Sequence, residues 1–343
     1  MVDSRRMGGQ RVRILSTLFS TDPPMALWQE RVATLRPAGT DAVTVGQLLV
    51  RARQYDALVL DGSARRDQLA AALLRSRRGG PALVIADATW KVPDRAGAAY
   101  GKRVAMRLID GELTTFCVLS RFEADRFALT WRLQRSRVRF TPWPVTLVSP
   151  DPMNESTDNG RVFAGGNSLR DYRPLIDAAS EIGAPVDIAT STLGAEGARG
   201  YPANVTARSF VRADYDAMLR AASVVVVPLE PRTDRSSGQT TYVNAMALGK
   251  AIVVSDAPGV RDYIDDGETG VIVPCGDAAA LACAVRALLA NRQWRQRLGE
   301  SARRHALTNL TLSSYAERLL QVVDETLAAP AQTRRRARRG AAR

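Results

Sequence analysis

Residues 236–250, SSGQTTYVNAMALGK, set four hydroxyls, an amide side chain and a glycine directly before an apolar helical run. A helix N-terminus carries free backbone N–H groups and the positive end of the helix dipole, so it favours anions. Gly238 allows a ligand to approach the backbone closely. Ser236, Ser237, Thr240 and Thr241 surround the first turn beside Gln239. Capping a helix needs only one hydroxyl. The surplus points to anion binding.

A second stretch, residues 164–171 (AGGNSLRD), ends a strand-like run and opens a helical one. Gly165 and Gly166 expose amides there, and Arg170, expected in the first helical turn, is suited to clamp a diphosphate. These glycines do not fit G-x-G-x-x-G, and no acidic residue ends a strand about 20 residues on, which argues against dinucleotide-dependent hydride chemistry. A third candidate, residues 86–95 (ADATWKVPDR), leaves a strand end with Asp87, Trp90 and Lys91. Asp87 could orient an acceptor hydroxyl and Trp90 could stack on a sugar ring. The competing reading is a loop whose tryptophan packs locally.

Other chemistries are excluded by composition. His305 is the only histidine, and Cys117, Cys275 and Cys283 are widely spaced in apolar runs, so they read as small core residues. Neither a zinc site of the usual ligands nor a histidine-based triad can be assembled. No D-x-D follows a strand, and basic groups can neutralise a diphosphate, so no metal and no cofactor are expected.

The elements that must position these residues alternate. Apolar runs rich in β-branched residues recur at 11–19, 55–63, 81–89, 115–121 and 138–145, with helical spacing at 65–78 and 121–135 between them. Continuous rather than alternating apolar runs indicate parallel strands buried on both faces. Residues 149–160, SPDPMNESTDNG, read as a linker. After it the alternation restarts and ends with a helix at about residues 311–327. The expected fold is α/β, two Rossmann-like domains with a central cleft where ligands bind.

Residues 237–285, SGQTTYVNAMALGKAIVVSDAPGVRDYIDDGETGVIVPCGDAAALACAV, resemble the donor-binding half of the retaining, nucleotide-sugar-dependent glycosyltransferases of GT-B fold, the group 1 or family 4 type. NAMALGKAIVV and DDGETGVIVPCGD carry the resemblance most closely, and GGNSLRDYRPLIDA is similar to the family's phosphate-contact segment. The resemblance covers most of residues 115–320 and is weak over 1–110. It implies an acceptor domain at 1–148, the linker at 149–160 and a donor domain at 161–310. It also implies a helix at 311–328 packing back on the first domain and a disordered basic tail at 329–343. In the family, the positions of Gly238, Gln239, Thr240, Thr241 and Arg170 contact the diphosphate. Asn244 stands where a ribose-binding glutamate is usual, and Ser236 where a glutamate touches the donor sugar.

The resemblance implies a glycosyltransferase moving a sugar from a UDP- or GDP-type donor to an unidentified acceptor, with retention. Arg170 and Asp87 are its candidate catalytic residues, and no nucleic acid is expected as a partner. Alternatives are a non-catalytic binding protein for an anionic ligand and a nucleotide-sugar epimerase on the same fold. The net charge is +13, and six arginines fall in residues 334–343. Such a tail attracts polyanions, an anionic membrane surface among them. With no signal-like apolar segment and no run of eighteen apolar residues, a cytoplasmic protein able to associate with a membrane surface is expected.

Overall fold

The computed structural model describes residues 12–19, 25–37, 39–75, 80–147, 159–193, 200–231 and 234–340, with side chains described up to residue 329. The chain forms two compact units, Met1–Thr141 with Tyr315–Arg343, and Pro142–Ser314. The division falls at Thr141/Pro142, ahead of the linker expected at 149–160, most of which lies outside the described residues.

In the first unit six parallel strands are ordered β2-β1-β3-β4-β5-β6. They are β1 (Ile14–Ser16), β2 (Val32–Thr34), β3 (Ala57–Asp61), β4 (Ala82–Ala86), β5 (Thr114–Val118) and β6 (Val138–Phe140). Every residue of β4 and β5 is buried, the pattern their continuous apolar runs require. Helices α1 (Ala26–Arg31), α2 (Asp41–Arg51), α3 (Arg65–Arg75), α4 (Ala96–Ile109) and α5 (Arg121–Trp131) connect them. Right-handed crossovers put α2 to α5 on one face of the sheet, because those four connections all advance in the same direction across it. The start of α5 is fixed from both sides: the cap Ser120 Oγ accepts from Glu123 N at 3.0 Å, and Glu123 Oε2 accepts from Leu119 N, just ahead of the cap, at 2.9 Å.

The second unit repeats the plan, with parallel order β12-β11-β10-β7-β8-β9. Its strands are β7 (Val162–Gly165), β8 (Val186–Ala189), β9 (Val205–Arg208), β10 (Val224–Val227), β11 (Ala251–Ser255) and β12 (Val271–Val273). Its helices are α6 (Arg173–Ile182), α7 (Arg212–Ala221), α8 (Gln239–Ala247), α9 (Ala278–Ala290) and α10 (Arg292–Asn309). Residues 241–247 of α8 are buried throughout, so this helix is a core element with its N-terminus left open.

The last helix, α11 (Leu312–Gly340), joins the first unit from Tyr315 onward. Thr115 and Thr326 hydrogen-bond inside that unit at 2.7 Å, and Arg31 pairs with Asp324 at 2.6 Å. The backbone is helical through Gly340, past the start of the tail expected at 329–343. A correction concerns Cys283, which is exposed on α9 rather than in the core.

Candidate functional site

The phosphate-contact segment and the start of α8 meet at the carboxyl ends of β7 and β10. Arg170 does not lie in a helix. Leu169 has φ 51 and Pro174 sits at the start of α6, so the helix begins at Arg173. Arg170 instead forms a bridge with Leu229, just beyond β10, closed by Asp171 N to Pro228 O and Glu230 N to Leu169 O. That bridge aims its side chain at α8.

The guanidinium is held by neutral acceptors alone. Nε donates to Gly165 O at 3.2 Å and Nη1 to Ser168 O at 2.8 Å. Nη1 also reaches Ser237 Oγ at 3.2 Å, and Nη2 reaches Thr241 Oγ1 at 3.3 Å. Four of its five N–H groups are thereby engaged, and no carboxylate pairs with it among the described residues. Arg170 keeps an edge in solvent yet is densely surrounded, and this desolvation lowers its pKa from the ordinary value. It is a cation whose charge the protein leaves uncompensated.

Opposite it, α8 begins without a side-chain cap. Gly238 is the N-cap at φ 98, where glycine is favoured. The backbone N–H groups of Ser237, Gly238, Gln239 and Thr240 donate to nothing among the described residues, although Gly238 and Gln239 are buried. Buried backbone donors are almost always paired, so this open row is a ligand-sized demand for an acceptor. Gln239 Nε2 donates to the buried Ser236 Oγ, which fixes the loop from inside. Thr240 is exposed at the rim.

The glycines have steric duties. A Cβ on Gly165 would lie 2.4 Å from Tyr215 Cε2, and one on Gly166, at φ 118, would lie 2.8 Å from Arg170 Nη2. Tyr215, on α7, hydrogen-bonds Thr241 at 3.0 Å, and Tyr172 donates to Gly166 O at 2.6 Å. Burial pushes the Tyr172 phenol up to about 12. Asn167 Oδ1 accepts from Thr190 Oγ1 and Ser191 N at 2.8 and 2.9 Å. Sequence reasoning missed these supporting residues, because a tyrosine on an amphipathic helix reads as core.

Asn244 is not part of this group. It is 1% exposed and turned to Thr146, its Oδ1 accepting from Thr146 N at 2.9 Å and its Nδ2 donating to Thr146 Oγ1 at 3.0 Å. Its amide ties residues 142–147 to α8.

In the first unit, Asp87 ends β4 at φ 53 and accepts a hydrogen bond from the Tyr315 hydroxyl at 2.9 Å. Burial, reinforced by Asp61 and Glu123, pushes its carboxyl up to about 7, against the opposing effect of the Tyr315 bond. Such a group can exchange protons near neutrality. Trp90 is otherwise spent. Its Nε1 donates to Gly62 O, its ring packs on Phe116 and Phe127, and Lys102 Nζ covers the ring at 4.5 Å. These contacts are the ones the local-packing reading describes. Lys91 is exposed on the same loop.

Two parallel six-stranded sheets with flanking helices are the fold of the GT-B glycosyltransferases. The chain superposes on HepE from Anabaena in complex with UDP with TM-score 0.66 at 14% identity, covering 92% of this chain and 100% of that one. Sucrose-phosphate synthase from Thermosynechococcus elongatus gives TM-score 0.64 at 17% identity, over 92% and 89%. These likenesses are of fold.

Residues 181–291 match the family model described as Glycosyl transferases group 1. Among curated relatives, a phosphatidyl-myo-inositol mannosyltransferase of Mycobacterium leprae is 42% identical over 81 residues, 24% of this chain and 21% of that protein. A D-inositol 3-phosphate glycosyltransferase of Geodermatophilus obscurus is 39% identical over 87 residues, 25% and 18% of the two chains. The matched segments span about a fifth of the length of these relatives. The family resemblance thus rests on the second unit, the unit that holds the Arg170 site.

Proposed function

We propose that the chain is a glycosyltransferase using a nucleotide-diphosphate sugar of UDP or GDP type, with the diphosphate held between Arg170 and the N-terminus of α8. The carrying observation is the uncompensated guanidinium facing the unpaired N–H groups of residues 237–240. A diphosphate satisfies both needs at once. It accepts from the open amides, and it can displace the two longer side-chain contacts of Arg170, to Ser237 and Thr241. Structural neighbours bound to UDP and to UDP-glucose support a nucleotide-sugar donor, and the names of the curated relatives support glycosyl transfer.

In the proposed reaction the bond from the anomeric carbon to the β-phosphate oxygen breaks and the acceptor oxygen bonds to the same carbon. The acceptor proton passes to the leaving phosphate on that face, giving retention. The charge that develops on the phosphate is met by Arg170 and by the helix dipole of α8. No metal is required for that neutralisation. Asp87, poised to exchange a proton near neutrality, is proposed to orient the acceptor hydroxyl. The inositol in the names of these two curated relatives favours a polyol acceptor.

A panel of nucleotide sugars, assayed by nucleoside-diphosphate release and by thermal shift, tests the reading. Release that requires an acceptor and thermal stabilisation by the matching nucleoside diphosphate support it. Release without an acceptor would instead mark the epimerase alternative. Stabilisation by anions in general, with no preference for nucleotides, would mark the binding protein.

A further inference from the structure

Asp87 follows the last residue of β4, at the carboxyl edge of the first sheet, where folds of this kind make their ligand contacts. Its backbone stands at φ 53, a sparsely populated conformation of the sort that gathers at functional sites. The two carboxylate oxygens have different surroundings. Oδ1 accepts from the Tyr315 hydroxyl at 2.9 Å, and Oδ2 accepts no hydrogen bond among the described residues. Asp87 keeps part of its surface in solvent, whereas Tyr315 is 2% exposed. One oxygen is thus fixed from inside the protein, and the other is left for an incoming hydroxyl.

The groups around Asp87 are committed elsewhere. Asp61, at the end of the neighbouring strand β3, accepts from Ser63 N and Ser63 Oγ at 2.8 and 2.6 Å. Glu123, in the first turn of α5, holds Leu119 N at 2.9 Å. Cys117 on β5 is fully buried, and that burial pushes its thiol up. Burial raises the Asp87 pKa, Asp61 and Glu123 add to the rise, and the Tyr315 hydrogen bond opposes all three. Tyr315 remains a donor, because burial pushes its phenol well above the ordinary value. Tyr315 is also where α11 enters the first unit, 228 residues along the chain from Asp87. A helix that only braced the sheet would need no hydroxyl there, since Asp324 and Thr326 already tie it to Arg31 and Thr115.

We infer that Tyr315 is a positioning residue for the acceptor: its hydroxyl fixes one oxygen of Asp87 so that the other is presented to the acceptor hydroxyl. The last helix is then a working part of the acceptor site. The inference rests on the acceptor role proposed for Asp87. Tyr315→Phe keeps the buried ring and removes only the donor. Full-length protein carrying carbon-13 at its aspartate carboxyls is titrated by NMR, and the Asp87 signal is identified by its loss in Asp87→Asn. The pH dependence of kcat and KM for nucleoside-diphosphate release is measured on the parent and both variants. A panel of UDP- and GDP-sugars serves as donor, with myo-inositol and with water as acceptors.

The Asp87 midpoint should rise in Tyr315→Phe, because the lost hydrogen bond favours the charged form. The kcat limb that follows Asp87 ionisation should move to higher pH with it. At pH 7 kcat should fall about three- to tenfold, while KM for the nucleotide sugar stays within about twofold. A merely structural hydroxyl would lower the melting temperature and leave both the Asp87 midpoint and the kcat profile in place, and that result would overturn the inference. Parental release rates in Asp87→Asn would remove the acceptor role of Asp87, and with it that of Tyr315, without touching nucleotide binding at Arg170. No release by the parent from any donor would overturn the transferase reading and this inference together.

Discussion

Arg170 Nη2 and Thr241 Oγ1 stand 3.3 Å apart, joining the segment after β7 to the first turn of α8. Thr241 is held in turn by the Tyr215 hydroxyl at 3.0 Å and reaches Gly165 O at 3.3 Å. Tyr215 therefore acts as a positioning residue for the arginine. Tyr215→Phe should weaken nucleoside-diphosphate binding by about 0.5–1.5 kcal/mol, the worth of one such hydrogen bond. Its ring still packs edge-on against Phe163, so the melting temperature should hardly move. Calorimetric titration together with a thermal melt checks both halves.

Asn244 separates stability from binding in the opposite sense. Asn244→Ala would remove two hydrogen bonds to Thr146, an exposed residue that can turn to water instead. A loss of about 0.5–1.5 kcal/mol of stability is expected in denaturant unfolding. Nucleotide affinity should stay within about twofold of the parent, because the amide faces away from the open N–H row.

Asp87 gives a pH signature. Its folded-state pKa, about 7, is above the ordinary carboxylate value, so the folded protein binds this proton more tightly than the unfolded chain does. The group's contribution is fully present below the unfolded pKa near 4 and is lost as pH rises to about 7. Asn suits the positive φ of this position and can still accept from Tyr315. Asp87→Asn should therefore be more stable than the parent at pH 8, by on the order of 2 kcal/mol, with the advantage shrinking below pH 7 and gone by about pH 4. Unfolding curves across that range read the difference.

The Thr115–Thr326 bond fastens α11 inside the first unit. Thr326→Val leaves the Thr115 hydroxyl buried without its partner and should cost about 1–2 kcal/mol. Replacing both threonines with valine should recover part of that loss, because no polar group is then stranded. A double-mutant cycle in urea measures the recovery.

The sheets were legible because parallel strands buried on both faces carry unbroken apolar runs, VVVV in β10 and AIVVS in β11 being the clearest. Helices α2 and α4 were not read, although both are amphipathic, because glycines stand inside each run. At the site, the hydroxyl surplus of residues 236–241 was informative because it exceeds the needs of a cap. The structure goes further: no side chain caps α8 at all. The placement of Arg170 in a helix failed on Leu169, whose left-handed backbone no local pattern announces. Trp90 was ambiguous for a related reason, since its partners Phe116 and Phe127 lie on other elements.

The central claim is that Arg170 and the amides of residues 237–240 hold a diphosphate. Titration calorimetry of UDP and GDP into the parent and into Arg170→Ala tests it most directly. The loss of a charged hydrogen-bonding partner predicts affinity weaker by about 1.5–3 kcal/mol, roughly 10- to 150-fold, for whichever nucleotide binds. Equal affinities in the two proteins would contradict it.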